Sequence, residues 1–368
     1  MKHSILIIGA GITGITLAER FANFNYRVTI IDKRDHIGGN CYDYKDKDGF
    51  LIQKYGPHIF HTKYKDVWEY LSHFTDWIDY KHKVLARIDS KLIPLPFSLT
   101  SLYLLIEQNK AEKIEKKLIS RFGYVSRIPI LDLQKSKDKD LKMLFKYIYK
   151  NIYYNYSKKQ WGTMINTLDP SIINRVPIVI SNGDLYFSDQ KQGIPNDGYT
   201  KMFKRMLNNC NIKVFYKTSF QKIKDNIKYD ILLYTGPIDE FFNYKYGKLQ
   251  YRYFKMQLKR IDKKEYQPVA VVNYPSLKYK FTRITEFKKL TQQNKKTTII
   301  GLEYPGEKGV PAWPVLTNDN ISMFSKYWQE AEKLKKSNIY FIGRLAEFKY
   351  YNMDQAVKNA LQLTSSLI

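Results

Sequence analysis

Cysteine is almost missing from this sequence. Cys41 and Cys210 are the two thiols in 368 residues, and neither sits in a CxxC or Cys/His spacing, which argues against a disulfide framework and against a zinc site. Negative charge is scarce as well: 35 Asp and Glu face 61 Lys and Arg, for a net charge of +26. Such an excess raises nucleic acid or an anionic membrane as partners. The lysines of "NKAEKIEKKLISR" and "QKSKDKDLKM" alternate with acids on solvated helix faces and a loop, so no focused stripe forms and no nucleic-acid partner is expected. A small phosphate-bearing substrate would also benefit from the field.

Long apolar runs are lacking too. No stretch reaches the roughly 18 apolar residues that suggest a membrane span. Lys2 and His3 ahead of the apolar opening imitate a secretory signal, but no small-residue cleavage site follows and the glycines there have a better reading. A cytoplasmic location is expected. There is no Ser/His/Asp order, paired-carboxylate motif, internal repeat or low-complexity linker.

What is present falls into three textures. At this length one hydrophobic core is exceeded, and two or three domains are expected. Residues 3–8, 12–24 and 27–32 read as strand, helix and strand, a βαβ opening. From about residue 98 helical periodicity takes over. In "LKMLFKYIYKNIYYNYSKKQWG" the apolar Leu141, Leu144, Phe145, Ile148, Tyr149 and Ile152 recur at helical spacing, as core packing requires. Between about 250 and 304, "YRYFKMQLKR", "QPVAVVNYP", "KFTRITEF" and "KTTIIGLEYP" are β-rich runs parted by charged or Pro-bearing turns, which suggests an antiparallel sheet. "YDILLYTGPID" and "NIYFIG" return to short buried strands ending at Gly. The first domain is therefore expected to be completed by the end of the chain.

The sharpest local signal is "SILIIGAGITGITLAERF", in which Gly9, Gly11 and Gly14 form G-x-G-x-x-G between a strand and a helix, with Asp32 closing the next strand. One glycine allows the tight turn, one lets backbone approach a pyrophosphate, one lets helix and strand pack, and the carboxylate accepts from ribose hydroxyls. The helix N-terminus adds unpaired N–H groups for phosphate charge. A second pair, Gly38 and Gly39 followed by Asn40, points to FAD rather than NAD. The late strand ending at Gly343 and Arg344 would meet the cofactor's other end, with Asn352 or a neighbour capping the final helix. A plain strand end with a surface salt bridge is the alternative for Gly343 and Arg344.

The blocks "KYGPHIFHT", "KKQWG", "YFSDQKQGIP", "GYTKMF", "YTGPID", "FTRITEF", "EYP" and "GRLAEFKYYNM" resemble, in order and approximate spacing, the bacterial UDP-galactopyranose mutases. The resemblance spans nearly the whole chain and is thinnest from about 98 to 150. It implies an α/β fold with a Rossmann-like FAD-binding domain (1–80, 192–247 and 315–368), a helical insertion domain (98–175) and a twisted antiparallel β-sheet domain (81–97, 176–191 and 248–314). It further implies a homodimer joined through the helical domain. The activity implied is interconversion of pyranose and furanose forms of a nucleotide sugar for surface polysaccharide. In it N5 of reduced FAD attacks the anomeric carbon, and NAD(P)H or a reductase supplies the electrons. The cofactor set becomes Gly9, Gly11, Thr13, Gly14, Asp32, Lys33, Gly39, Asn40, His58, Ile59, Thr218, Gly343, Arg344, Asn352 and Met353. His58 and His61 match the segment lining the flavin, and His61 and Arg283 are the candidate catalytic side chains. Tyr156 and Trp161 match the nucleoside wall, Tyr186 and Asn273 substrate contacts, and Arg283, Tyr350 and Tyr351 the diphosphate holders. On residue type alone the histidines and aromatics would read as core.

Four departures from the pattern stand out. Val179 occupies the position of a mobile-loop arginine, which removes a charge-assisted contact of about 1.5–3 kcal/mol unless Arg175, Lys191 or another cation replaces it. Trp313 stands where a phenol is expected, His82 lies near a position that usually holds Asn, and Asn352 replaces an Asp. All four lie toward the sugar-diphosphate end or the flavin edge. UDP-galactose is the first expected substrate, with UDP-N-acetylgalactosamine, dTDP-fucose or a nucleotide heptose as alternatives. More distant rivals are an FAD amine oxidase and a basic nucleic-acid-binding protein.

Overall fold

The computed structural model describes residues 3–162, 169–306, 309 and 311–368; residues 163–168 of the expected helical region lie outside them. Strand Ser4–Ile8 runs parallel to Arg27–Ile31 on one side and to Ile231–Tyr234 on the other. Ile212–Phe215 and Ile339–Phe341 close the two edges, also in parallel. Ile5, Leu6 and Ile7 are all at most 1% exposed, because a central parallel strand is covered on both faces and so reads as a continuous apolar run. Helix Ile12–Asn23 covers one face and packs along the final helix Met353–Leu367. Segments more than three hundred residues apart thus share one sheet and one cleft.

A seven-stranded sheet forms the second layer, in the order Trp313–Pro314, Tyr251–Ile261, Thr298–Gly306, Arg283–Glu286, Val271–Asn273, Val84–Ile88 and Lys91–Leu95. Its pairs are antiparallel except one: Val271–Asn273 runs parallel to Val84–Ile88. The β-rich runs read from sequence supply four of these strands.

The helical region holds Leu99–Leu105, Gln108–Phe122, Ile130–Gln134 and Lys139–Ile148 around Leu118, Leu133, Leu141 and Leu144. The single amphipathic helix expected beyond Leu141 is divided. A π-helical stretch, Tyr149–Tyr154, separates Lys139–Ile148 from Asn155–Trp161, and such turns insert a residue and re-aim side chains. One pairing departs from the expected domain boundaries. Ile178–Ile180, expected in the antiparallel-sheet domain, pairs with Ser126–Ile128 of the helical region. Lys191–Pro195 lies between Phe60–Thr62 and Trp77–Asp79 in a small sheet whose strands, Lys191 apart, all fall within the expected first domain. No helix among the described residues is long and apolar enough to cross a membrane.

Candidate active site

The glycine turn forms one wall of a long cleft. Gly9 has φ 108°, and a Cβ there would lie 2.2 Å from Thr235 Oγ1. At Gly14 a Cβ would lie 2.0 Å from the Gly9 carbonyl oxygen, so this residue serves helix–strand packing and does not line the cleft. Gly11 differs. Its nearest protein atom would be 3.9 Å from an added Cβ, which leaves open space where a ligand backbone could approach. Asp32, almost wholly buried, accepts from the Ala10 and Arg34 amides at 2.8 Å each, and these bonds hold its carboxylate at the cleft edge. Thr13, Lys33, Gly39, Asn40, Thr218, Gly343, Arg344, Asn352 and Met353 line the same cleft. Arg34 donates through Nη2 to Asn40, while its buried Nη1 has no partner. Helices Ile12–Asn23 and Met353–Leu367 both begin here, the second with Asn352 as its N-cap.

A second cavity, of about 530 Å³, adjoins the first. His58, Arg344, Asn352 and Met353 line both, so a ligand in one abuts a ligand in the other. Ile59, expected on the cofactor side, lines this second cavity and not the cleft, because Ile59 and His58 are consecutive and only His58 reaches both. Burial pulls the His58 pKa down to about 4. The neutral ring donates from Nδ1 to the Gly56 carbonyl at 2.9 Å, which leaves Nε2 as an acceptor.

Arg283 is the best-braced cation in the cavity. Its strand neighbour Glu303, 1% exposed, accepts from Nε at 2.8 Å and from Nη2 at 3.0 Å. Burial opposes the charge, but Glu303 and the Tyr156 phenol outweigh it and raise the pKa. The fork therefore stays charged, with Nη1 not engaged by Glu303. Asn273, opposite Arg283 in the sheet, and Gln160 each leave a buried side-chain oxygen unpartnered here, as Trp313 leaves its indole N–H. Three orphaned polar atoms around one cavity are what a missing polar ligand would satisfy.

Aromatic rings complete the walls. Trp161, Trp313 and Tyr350 meet edge to face, with Trp161–Tyr350 centroids 5.7 Å apart. Tyr156 and Trp161 lie on helix Asn155–Trp161, which Gly162 ends in the left-handed conformation with φ 65°. Arg252 caps that helix by donating to the Gln160 and Lys159 carbonyls. Lys159 clips it to the opposite wall: Nζ donates to the carbonyls of Ser276, Tyr279 and Phe281 at 3.0–3.1 Å, and to that of Tyr274.

His61, His82, Tyr186 and Tyr350 also line the cavity. Tyr351 does not. It packs into the core of the Rossmann-like layer and donates to Glu347 at 2.7 Å, which turns it away from Tyr350 and leaves it bordering only the cleft. Of the cations considered in place of a charge at 179, Lys191 lies over Trp68 outside the cavity, whereas Arg175 lines it, stacked 4.0 Å above Tyr350 and donating to Asn352. Sequence reading passed over Arg127, Tyr153, Phe187 and Asp189. Phe187 and Asp189 sit inside the quoted "YFSDQKQGIP" and could have been chosen: Phe187 stacks on His61 at 3.6 Å, and Asp189 Oδ2 lies 2.7 Å from His61 Nδ1. Arg127 and Tyr153 gave no sequence signal.

The fold and these two joined cavities define a Rossmann-like nucleotide-binding protein with a cationic, aromatic-walled second site. Family models match accordingly: the NAD(P)-binding Rossmann-like domain over residues 7–74 and UDP-galactopyranose mutase over residues 151–350. A UDP-galactopyranose mutase of Mycoplasma genitalium is 38% identical across 99% of this chain and 95% of its own. A dTDP-fucopyranose mutase of Escherichia coli is 34% identical across 98% and 97%. The chain belongs to the UDP-galactopyranose mutase family, and is by that membership a mutase, an isomerase. A crystal structure of reduced UDP-galactopyranose mutase superposes with a TM-score of 0.79 at 14% identity, covering 100% of this chain and 94% of that one.

Proposed function

We propose that this protein interconverts the pyranose and furanose forms of a nucleotide sugar with the help of bound FAD, UDP-galactose being the first candidate substrate. The observation that carries the reading is the meeting of the glycine-walled cleft with the arginine- and tyrosine-lined cavity through His58, Arg344, Asn352 and Met353. The open space at Gly11, the unpartnered Arg34 Nη1 and two helix N-termini fit a dinucleotide such as FAD, held by Gly9, Gly11, Thr13 and Asp32. When bound and reduced by NAD(P)H or a reductase, the flavin supplies an electron-rich nucleophile for the anomeric carbon.

The chain's own residues do the rest. Arg283 and Tyr350 hold the diphosphate and stabilise it as it departs. Tyr156 and Trp161 stack and orient the nucleoside. Asp189 holds His61 through Nδ1, leaving Nε2 to exchange a proton with a sugar hydroxyl as the ring opens and recloses. Neutral His58 contributes an acceptor and no competing charge. In this reading the protein is a cytoplasmic homodimer joined through its helical region, and it serves surface polysaccharide such as a capsule.

Trp313 and His82 on the cavity wall favour a second reading, the same chemistry on dTDP-fucose, UDP-N-acetylgalactosamine or a nucleotide heptose. The test is anaerobic incubation of the dithionite-reduced FAD protein with a panel of nucleotide sugars, followed by chromatography. A furanose product from one sugar identifies the substrate. FAD-loaded protein that gives none from any of them ends the proposal.

A further inference from the structure

Four arginines line the second cavity: Arg127, Arg175, Arg283 and Arg344. Three are committed. Arg283 forks onto Glu303, Arg344 donates to the Tyr351 carbonyl, and Arg175 donates to Asn352. The Arg127 side chain alone among them makes no hydrogen bond or ion pair within the described residues, and the charged and phenolic groups that face it are Asp189 and Tyr186.

The backbone beneath it is fixed. Strand Ser126–Ile128 pairs with Ile178–Ile180, with Arg127 opposite Val179. The Val125 amide donates to the Ile180 carbonyl and the Val179 amide to the Phe97 carbonyl, each at 2.8 Å, so the two strands are tied to each other and, along the Ile178–Ile180 edge, to Phe97. Side chains alternate along a strand. Ile128 enters the core, and Arg127 is left exposed at the mouth of the cavity. A rigid base thus carries an uncommitted guanidinium.

The charge count points the same way. Four guanidiniums face two carboxylates, those of Glu303 and Asp189, so the cavity holds a surplus of positive charge that a doubly negative diphosphate diester would neutralise.

We propose that Arg127 is a further substrate-binding residue, which closes from the cavity mouth onto a phosphate oxygen of the nucleoside diphosphate. The assignment rests on the nucleotide-sugar reading above. Its planar fork suits phosphate oxygens, and its exposure leaves the side chain free to swing in without breaking an existing bond.

The test compares Arg127→Ala and Arg127→Lys with the unaltered full-length FAD protein, by titrating UDP and uridine separately and by measuring KM and kcat. Removal of one charge-assisted contact is expected to weaken UDP about tenfold or more and raise KM similarly, with uridine binding unchanged. Arg127→Lys should recover part of the loss, and added salt should weaken UDP binding less in Arg127→Ala than in the parent. Unchanged UDP affinity in Arg127→Ala, or an equal loss for uridine, overturns the assignment while the nucleotide-sugar reading stands. Should the unaltered protein bind neither UDP nor dTDP, that reading falls and the role of Arg127 falls with it.

Discussion

Replacing Glu303 by Gln puts the braced cation of the cavity under direct strain. The change is nearly isosteric, yet it removes the buried negative charge that offsets the half-buried guanidinium of Arg283. One of the two bonds, at 2.8 and 3.0 Å, survives through the amide oxygen. The other becomes an N–H facing an N–H. Removing one partner of a buried pair costs about 3–5 kcal/mol, because the remaining charge stays uncompensated. In a molecule of this size the melting temperature should fall by roughly 5–10 °C. Function should suffer further, since Glu303 sets the plane of the guanidinium and so the direction of its Nη1 edge. Thermal unfolding monitored by FAD release, together with KM for the nucleotide sugar, reads both effects. A Glu303→Gln protein that melts like its parent and keeps the parental KM would refute the idea that this pair organises the cavity.

The remaining predictions concern the cleft, a buried histidine and a buried lysine. Gly11→Ala should keep the melting temperature of the cofactor-free protein and lose FAD affinity, whereas Gly14→Ala should destabilise the fold itself, as a Cβ 2.0 Å from the Gly9 oxygen demands; equal effects in both assays would contradict this division. Burial, with Arg283 and His61 adding repulsion, lowers the His82 pKa to about 3. Between there and the ordinary value of 6.5 the unfolded chain binds the extra proton, so stability should fall by a few kcal/mol as pH drops through that window. His82→Asn should flatten the slope of melting temperature against pH, and parallel curves would count against it. Lys159→Met leaves the carbonyls of Tyr274, Ser276, Tyr279 and Phe281 without their donor. A loss of about 2–4 kcal/mol is expected, along with a raised KM as the helix of Tyr156 and Trp161 loosens from the opposite wall; an unaltered denaturation midpoint would exclude the clip.

The βαβ opening and its glycines were legible because their causes are local. A parallel strand buried on both faces must be apolar, and a turn with φ 108° at Gly9 must lack a side chain. The β-rich runs between 250 and 304 were legible for the same reason, their alternation being a property of neighbouring residues. The split of the helix after Ile148 was not, since its amphipathic pattern runs on through the π-helical stretch.

For the cavity, many of the lining residues were nameable, Arg127 and Tyr153 were not, and which way neighbouring side chains face was not. That Tyr350 faces the cavity while Tyr351 bonds Glu347 is decided by packing around one short segment, and adjacent letters carry no record of it. Arg127 stands opposite Val179 only because two strands some fifty positions apart pair in that register. Local sequence thus determined the glycine-walled cleft proposed for a nucleotide's phosphates. Long-range pairing alone decided which cations surround the second cavity, because opposing charges are brought together there by chain closure and not by spacing along the chain.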